Sequence, residues 1–290
     1  MMRGLRAIWT LGQDAIGEWL NDRASRKGAA LAFYTVFSLA PILIVAIAIA
    51  GLFFGEAAAR GEIFEQVQGL LGPEGALAIQ AMIENASQPG AGVLATIIGL
   101  TTLLIGATTA LAELKDGLDQ IWYAPPERTR GFWYFVRKRL LSVGLILSMG
   151  FLLLVSLVLN AVTAALARSW GPGDTTGVLL QGVNFLFSFA LVTLLFATIY
   201  KILPAVRIAW RDVVVGSLIT ALLFVIGKSL IGFYIGNSAL TSTYGAAGSV
   251  ILVLVWVYYS AQIFLLGAEF TKVYTYRFGS RRGTPLPQRA

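Results

Sequence analysis

The chain has 290 residues, of which 57% are hydrophobic and only 13% charged, whereas soluble domains carry about 25% charged residues. This deficit predicts a membrane protein. The sequence contains neither cysteine nor histidine, which excludes disulfides, zinc or haem sites built on those ligands, and nucleophiles activated by histidine. We therefore expect no cofactor.

Residues 1–27 are predicted to form an amphipathic helix at the cytoplasmic membrane surface. Apolar residues recur among polar ones at roughly helical spacing, and Trp9 and Trp19 are suited to anchor the helix among lipid head groups. The segment lacks the apolar core that a secretory signal requires.

Long runs without charged residues predict an all-α bundle of six transmembrane helices within residues 28–278. Each predicted span provides the roughly 20 residues that one bilayer crossing needs, and only the fifth contains a charged residue, Lys228. A polar break at residues 237–243 divides the longest run and separates the last two helices. The predicted spans are residues 28–55, 92–111, 140–167, 175–200, 213–236 and 244–268.

Two further segments are predicted outside the bilayer. Residues 56–90 are acidic and show a helical apolar pattern that Gly72 and Pro73 interrupt, which predicts an extracytoplasmic helical hairpin at the surface. Residues 279–290 are basic and contain glycine and proline, so we expect a disordered tail.

The basic residues indicate the orientation of the chain. Six spans put both termini on one side, and that side then carries 19 of the 22 lysine and arginine residues. They lie in residues 1–27, 112–139, 201–212 and 269–290, and the other three are Arg60, Arg168 and Lys228. The positive-inside rule predicts cytoplasmic termini in a bacterial inner membrane. The net charge of +7 is explained by anionic lipid head groups, so the bilayer is the expected partner and nucleic acid is not.

Three stretches resemble the YihY/BrkB family of bacterial inner-membrane proteins. They are AALAFYTVFSLAP at residues 29–41, ALAELKDGLDQIW at residues 110–122, and a C-terminal block that includes Trp210-Arg-Asp and Leu266-Gly-Ala-Glu269. The resemblance covers roughly residues 20–278 and implies a six-helix membrane protein, without implying a biochemical activity. Asp119 stands where the family pattern has asparagine. Some members have carried a ribonuclease label, but a metal-dependent nuclease needs clustered ligands, and this chain has no histidine and scattered carboxylates.

Six residues within the spans are candidates for a polar transport cavity among spans 1, 5 and 6. They are Tyr34, Ser38, Pro41, Asn184, Lys228 and Gln262. The proline and the break at 237–243 favour a cavity, since irregular backbone is tolerated at membrane depth where it lines one. Interhelical hydrogen bonding explains any single polar side chain equally well. Lys228 either contacts a solute or lipid, or extends to the outer membrane surface.

Four acidic residues are candidates for a cytoplasmic gate, or for a site coupled to protons or cations. They are Glu113, Asp116, Asp119 and Glu269. The first three recur at i, i+3 and can share one helix face. The alternative for these three is a solvated helix end that pairs with Lys201, Arg207 or Arg211. The alternative for Glu269 is a structural ion pair with Arg26 or Lys27.

The hypothesis that follows is a transporter or permease for a small solute or a lipid, without enzymatic activity. The alternative is a non-catalytic scaffold of the cell envelope that binds partners through residues 56–90. An intramembrane enzyme would need a nucleophile or metal centre, and no Ser/Lys or Asp/Asp pair has a suitable spacing. No oligomeric state follows from the sequence.

Overall fold

The computed structural model of the chain describes residues 2–86, 109–125, 175–236 and 246–285. Over these ranges every regular element is helical, as the all-α prediction requires. The helices are α1 (Met2–Asn21), α2 (Ala24–Phe54), α3 (Glu56–Ala86), α4 (residues 109–121), α5 (Thr175–Ile202), α6 (Trp210–Gly236) and α7 (Ala246–Arg277). The predicted span 140–167, nearly all of 92–111 and the polar break 237–243 lie outside the described residues.

Three of the described helices contain segments long and apolar enough to cross a membrane. They are Gly182–Ile202, Trp210–Tyr234 and Val250–Arg277, which overlap the fourth, fifth and sixth predicted spans. Helix α2 covers nearly all of the first predicted span with 31 residues, a length of about 46 Å. The total of six spans and the cytoplasmic position of the termini stay predictions.

The N-terminal segment differs from the single helix expected over residues 1–27. Helix α1 ends at Asn21, and a bend at Asp22 and Arg23 precedes α2. Arg23 takes a left-handed backbone conformation with φ of 51°, so the chain changes direction there. Helix α1 buries Leu11 and Ala15 and packs on α7, while Trp9 remains exposed on its other side.

Helices α6 and α7 pack closely through two reciprocal glycine–threonine contacts. A β-carbon at Gly216 would lie 1.9 Å from Thr271 Oγ1, and one at Gly267 would lie 2.0 Å from Thr220 Oγ1. Each threonine hydroxyl donates to the carbonyl of the glycine on its own helix, at 2.7 Å in both cases. Gly216 precedes Thr220 on α6, whereas their partners Thr271 and Gly267 come in the reverse order along α7. The two helices are therefore antiparallel. Glycine permits this close approach of the backbones, as is common in membrane helix pairs.

Helix α5 joins this pair through Tyr200, which is buried. Its hydroxyl donates to the carbonyl of Phe264 at 2.7 Å and lies 3.1 Å from Thr220 Oγ1. One phenol therefore links α5, α6 and α7, and its polar atom is satisfied in an apolar interior.

Helix α3 is sharply bent near Pro73. Arg60 and Glu84 line the same cavity, yet a straight helix would separate them by about 36 Å. Apolar residues of α3 form a buried cluster with Ile47 of α2 and Val253 of α7. The segment that was expected to form a surface hairpin thus packs its apolar side against two helices of the bundle.

The start of the C-terminal tail is docked, although the sequence led us to expect disorder from residue 279. The backbone N–H and the hydroxyl of Ser280 donate to Asp212 Oδ2 at 3.0 and 2.6 Å. Arg281 donates to the Tyr276 hydroxyl and to the Arg207 carbonyl, and its guanidinium lies over the Trp122 ring. Composition indicated a flexible segment because it does not reveal these long-range partners.

Candidate functional site

Four ionisable residues meet in the interior where α1 crosses α7, and we call them the buried charge cluster. The bend after α1 contributes Asp22, and the last turn of α1 contributes Glu18. Helix α7 contributes Glu269 and Lys272, both with fully buried side chains (0% exposed). Asp22 is also buried, and Glu18 is partly exposed.

The ammonium group of Lys272 is shared among the three carboxylates. Its Nζ donates to Glu18 Oε2 at 2.7 Å and lies 2.7 Å from Glu269 Oε2. It also lies 3.6 Å from Asp22 Oδ2. The cluster therefore joins α1 and the α1–α2 bend to α7 through ionic contacts.

Local geometry explains why these side chains converge. Glu269 and Lys272 are spaced i, i+3 on α7, and Glu18 and Asp22 are spaced i, i+4 at the end of α1, so each pair lies on one face. The bend at Arg23 allows α1 to lie across α7 while α2 packs beside it. Both pairs then face each other.

Tyr123, just beyond α4, closes the cluster on a further side. It has a left-handed backbone with φ of 48°. Its hydroxyl donates to Asp22 Oδ1 at 3.3 Å, and its ring centroid lies 4.9 Å from Lys272 Nζ. Burial raises the pKa of the Tyr123 phenol, against a lowering by the charge of Lys272. The phenol therefore stays protonated and acts as a donor.

The cluster has the oxygen donors of a cation site. One carboxylate oxygen from each of Glu18, Asp22 and Glu269 lies within 4.8 Å of the others, and hard cations prefer such ligands. In this structure the Lys272 ammonium takes that position. Glu269 Oε1 is buried and has no hydrogen-bond donor among the described residues. The arrangement can thus hold a tethered cation.

The predicted gate residues separate into two places. Glu269 lies in the buried charge cluster, and its described ion pair is with Lys272 of its own helix rather than with Arg26 or Lys27. Asp119 forms an ion pair with Lys115 and accepts the Ala205 N–H at 2.7 Å. The second contact ties α4 to the connection between α5 and α6.

The other members of the predicted gate lie on α4. Glu113 is half-buried and Asp116 is exposed. Lys201, one of the basic residues considered as a partner for them, makes other contacts. Its Nζ donates to the Ile208 carbonyl and lies 5.4 Å from the centroid of the Trp210 ring.

No contact described in the structure joins the predicted cavity residues to one another. Gln262 packs against Gly28 of α2, where a β-carbon would lie 2.0 Å from Nε2, and its buried amide has no hydrogen-bond partner among the described residues. Tyr34 makes an edge contact with Phe33 at 5.5 Å between ring centroids.

The remaining cavity candidates are dispersed. Asn184 is half-buried on α5, and Lys228 is half-buried on α6. Ser38 and Pro41 lie within the continuous helix α2, and their side chains are outside the described part of the structure. Pro41 therefore does not end the helix.

Glu269 was among the predicted gate residues, whereas its partners Glu18, Asp22, Lys272 and Tyr123 were not. The i, i+3 spacing of Glu269 and Lys272 was a visible signal. Glu18 and Asp22 were assigned to the surface helix, since nothing in composition marks the bend that turns them inward. The i, i+4 spacing of Lys115 and Asp119 was a second visible signal.

Known proteins resemble the chain over nearly its full length. The model of the family described as virulence factor BrkB matches residues 15–290, a range that contains the whole buried charge cluster. A UPF0761 membrane protein of Pseudoalteromonas atlantica is 31% identical over 288 residues, covering 92% of this chain and 91% of that protein. A UPF0761 membrane protein of Psychromonas ingrahamii is 28% identical and covers 83% and 79%.

A third relative is longer than this chain. The UPF0761 membrane protein of Alkalilimnicola ehrlichii is 27% identical over 252 residues, which are 87% of this chain and 55% of that protein. No solved structure matches the chain. The resemblance found in the sequence is confirmed, and the chain is a membrane protein that belongs to the BrkB family.

Proposed function

We propose that this membrane protein is a transporter of the bacterial inner membrane that moves a small solute or a lipid. In this proposal the buried charge cluster is its cytoplasmic gate. The observation that carries the proposal is the fully buried Lys272, held by carboxylates from α1, from the α1–α2 bend and from α7.

The energetics of buried ions favour a contact that opens. Removing an ion from water costs several kcal/mol, and a well-packed apolar contact often holds two elements at least as tightly as a buried ion pair. Ionisable residues in membrane helices are for this reason treated first as functional. Water or a cation stabilises the separated charges, and a proton neutralises one of the carboxylates. The cluster can in this way shift between a closed and an open state.

Helix α1 is the element suited to move. It is amphipathic, it is joined to α2 by the bend at Arg23, and its exposed side carries Trp9, Ile16 and Leu20. An amphipathic helix of this kind can lie on the membrane surface. Opening then consists of a displacement of α1 from α7 about the bend, which separates Glu18 and Asp22 from Lys272.

Reconstituted vesicles test transport directly. One set contains a phospholipid with a fluorescent head group, whose movement between leaflets is followed by chemical quenching from outside. A second set is loaded with a mixture of sugars, amino acids, organic acids and amines, and the retained solutes are measured by mass spectrometry under pH gradients of both directions. We expect wild type to move the lipid or deplete one solute class, and Lys272→Met to change the rate.

The proposal fails if folded wild type moves neither lipid nor any solute under either gradient. A matched control is Lys201→Met, which removes a half-buried ammonium from the end of α5, outside the buried charge cluster. Under the proposed gate this control leaves the rate less affected than Lys272→Met does.

The scaffold alternative is supported by one observation, the docked position of α3. With its apolar side against α2 and α7, it exposes Glu56, Glu65 and Glu84. A deletion of α3 would damage the core. The better test replaces the three glutamates with glutamine, which removes their charges. Loss of a cell-envelope phenotype with unchanged transport and stability would support a scaffold.

A further inference from the structure

A cavity of about 260 Å³ lies between α2 and the two halves of α3. Its apolar lining includes Ile47, Ile63, Phe64, Val67, Ala76, Ile79 and Ile83. The polar lining groups belong to Arg60, Gln80 and Glu84. The cavity is thus amphipathic, with an apolar wall and a few convergent polar groups, as in many ligand sites.

The cavity lies beside the end of a predicted transmembrane span. Ile47 precedes the last residue of α2 by seven positions, about 10 Å along the helix axis. Arg60 lies in the first turns of α3, which starts directly after the Gly55 turn. Its apolar wall therefore includes part of a predicted transmembrane span, and its polar groups lie near the end of that span.

The polar groups carry both signs of charge. The Arg60 guanidinium donates through Nε and Nη2 to Glu56 Oε1 at 3.1 and 2.7 Å, which leaves further donors of its planar fork for an anion. Glu84 Oε1 accepts from Gln80 Nε2 at 2.8 Å, and its second oxygen is available for a cation. The Arg60–Glu56 pair is exposed, so a phosphate can replace the carboxylate at little cost.

We propose that this cavity binds a zwitterionic phospholipid from the bilayer. One acyl chain enters the apolar part, the phosphate contacts Arg60, and the primary ammonium of a phosphoethanolamine head group contacts Glu84. The volume is slightly below the roughly 300 Å³ of small-molecule pockets, which suits a segment of one chain rather than a whole lipid. This inference stands independently of transport.

Photo-crosslinking in vesicles tests the site. The probe is a phosphoethanolamine lipid with a diazirine in one acyl chain, and labelled peptides are located by mass spectrometry. We expect enriched labelling of residues 60–67 and 76–83 relative to the exposed α6 residues Leu230 and Phe233. Ala76→Phe fills the cavity, since Ala76 is a buried lining residue, and abolishes the enrichment. Ala57→Phe, at an exposed position of α3, leaves it unchanged.

Head-group specificity is tested with variants of exposed residues, which leave the core intact. Arg60→Gln and Glu84→Gln should each reduce labelling, and unlabelled phosphoethanolamine lipid should compete better than an anionic phosphoglycerol lipid. The proposal is overturned if labelling in α3 does not exceed that of the α6 face, if Ala76→Phe folds and leaves the enrichment unchanged, or if both competitors act equally.

Discussion

Helix α7 contacts two neighbours in opposite ways. Against α6 it uses glycine and threonine, with backbones so close that no β-carbon fits at Gly216 or Gly267. Against α1 it uses the buried charge cluster, in which Lys272 holds three carboxylates. The first contact depends on shape and has one close-packed arrangement. The second depends on buried charges, so in the proposed gate it is the contact that opens and closes.

The largest effect is expected at the α6–α7 contact. Gly267→Leu places side-chain atoms where Thr220 Oγ1 and the Tyr200 hydroxyl lie, 2.0 and 2.7 Å from the new β-carbon. Overpacking of a close contact costs about 1–3 kcal/mol, and displacing the buried Thr220 and Tyr200 hydroxyls from their hydrogen bonds adds about 1–3 kcal/mol each. We therefore expect little folded protein by size-exclusion chromatography in detergent. Gly232→Leu is the matched control, because nothing lies within 4 Å of a β-carbon there. Equal recovery of both variants would contradict close packing.

The next effect is expected at the centre of the buried charge cluster. Lys272→Met keeps a long unbranched side chain but removes the ammonium group. The buried carboxylates are then left without their shared partner. Breaking a buried ion pair in this way costs about 3–5 kcal/mol, measured as the free energy of unfolding in mixed micelles. Adding Glu269→Gln should recover part of the loss, since it removes one of the uncompensated charges. Additive losses in the double variant would show that the two residues do not interact.

A smaller effect is expected at Tyr123. Tyr123→Phe keeps the ring below Lys272 but removes the hydrogen bond to Asp22, which is long at 3.3 Å. The expected loss is about 0.5–1.5 kcal/mol, read from the same unfolding experiment. Tyr234→Phe, at an exposed position of α6, is the control and should leave stability unchanged. A loss as large as that of Lys272→Met would mean that the hydroxyl has a role this geometry does not show.

The smallest effect is expected at the exposed edge of the α1–α7 contact. Arg277 Nη1 lies 2.8 Å from Asp14 Oδ2, with both side chains about two-fifths exposed. Such pairs contribute about 0–1 kcal/mol, and salt screens them. Arg277→Gln should therefore change the unfolding midpoint slightly at low salt and not at high salt. A large loss of stability that salt does not change would contradict this assignment and would mean that the pair contributes as a buried ion pair does.

The sequence predicts the α6–α7 side of the molecule better than the α1–α7 side. Uncharged runs define α5, α6 and α7 because the bilayer requires them. The position of Glu18 depends on a bend at Arg23, a residue type that rarely adopts positive φ, and its partner Lys272 is 254 positions away. The docking of α3 and of Ser280 likewise depends on tertiary contacts that periodicity does not encode.

The proposed gate requires α1 to separate from α7 during transport. The chain has no cysteine, so Asp14→Cys with Arg277→Cys places two thiols at the exposed edge of the contact without background. A short bismaleimide crosslinker with a reducible centre then joins the helices in reconstituted vesicles. We expect the flux of the lipid or solute to stop on crosslinking and to return on reduction, and each single cysteine variant to be unaffected. Unchanged flux in fully crosslinked protein would contradict the proposed gate.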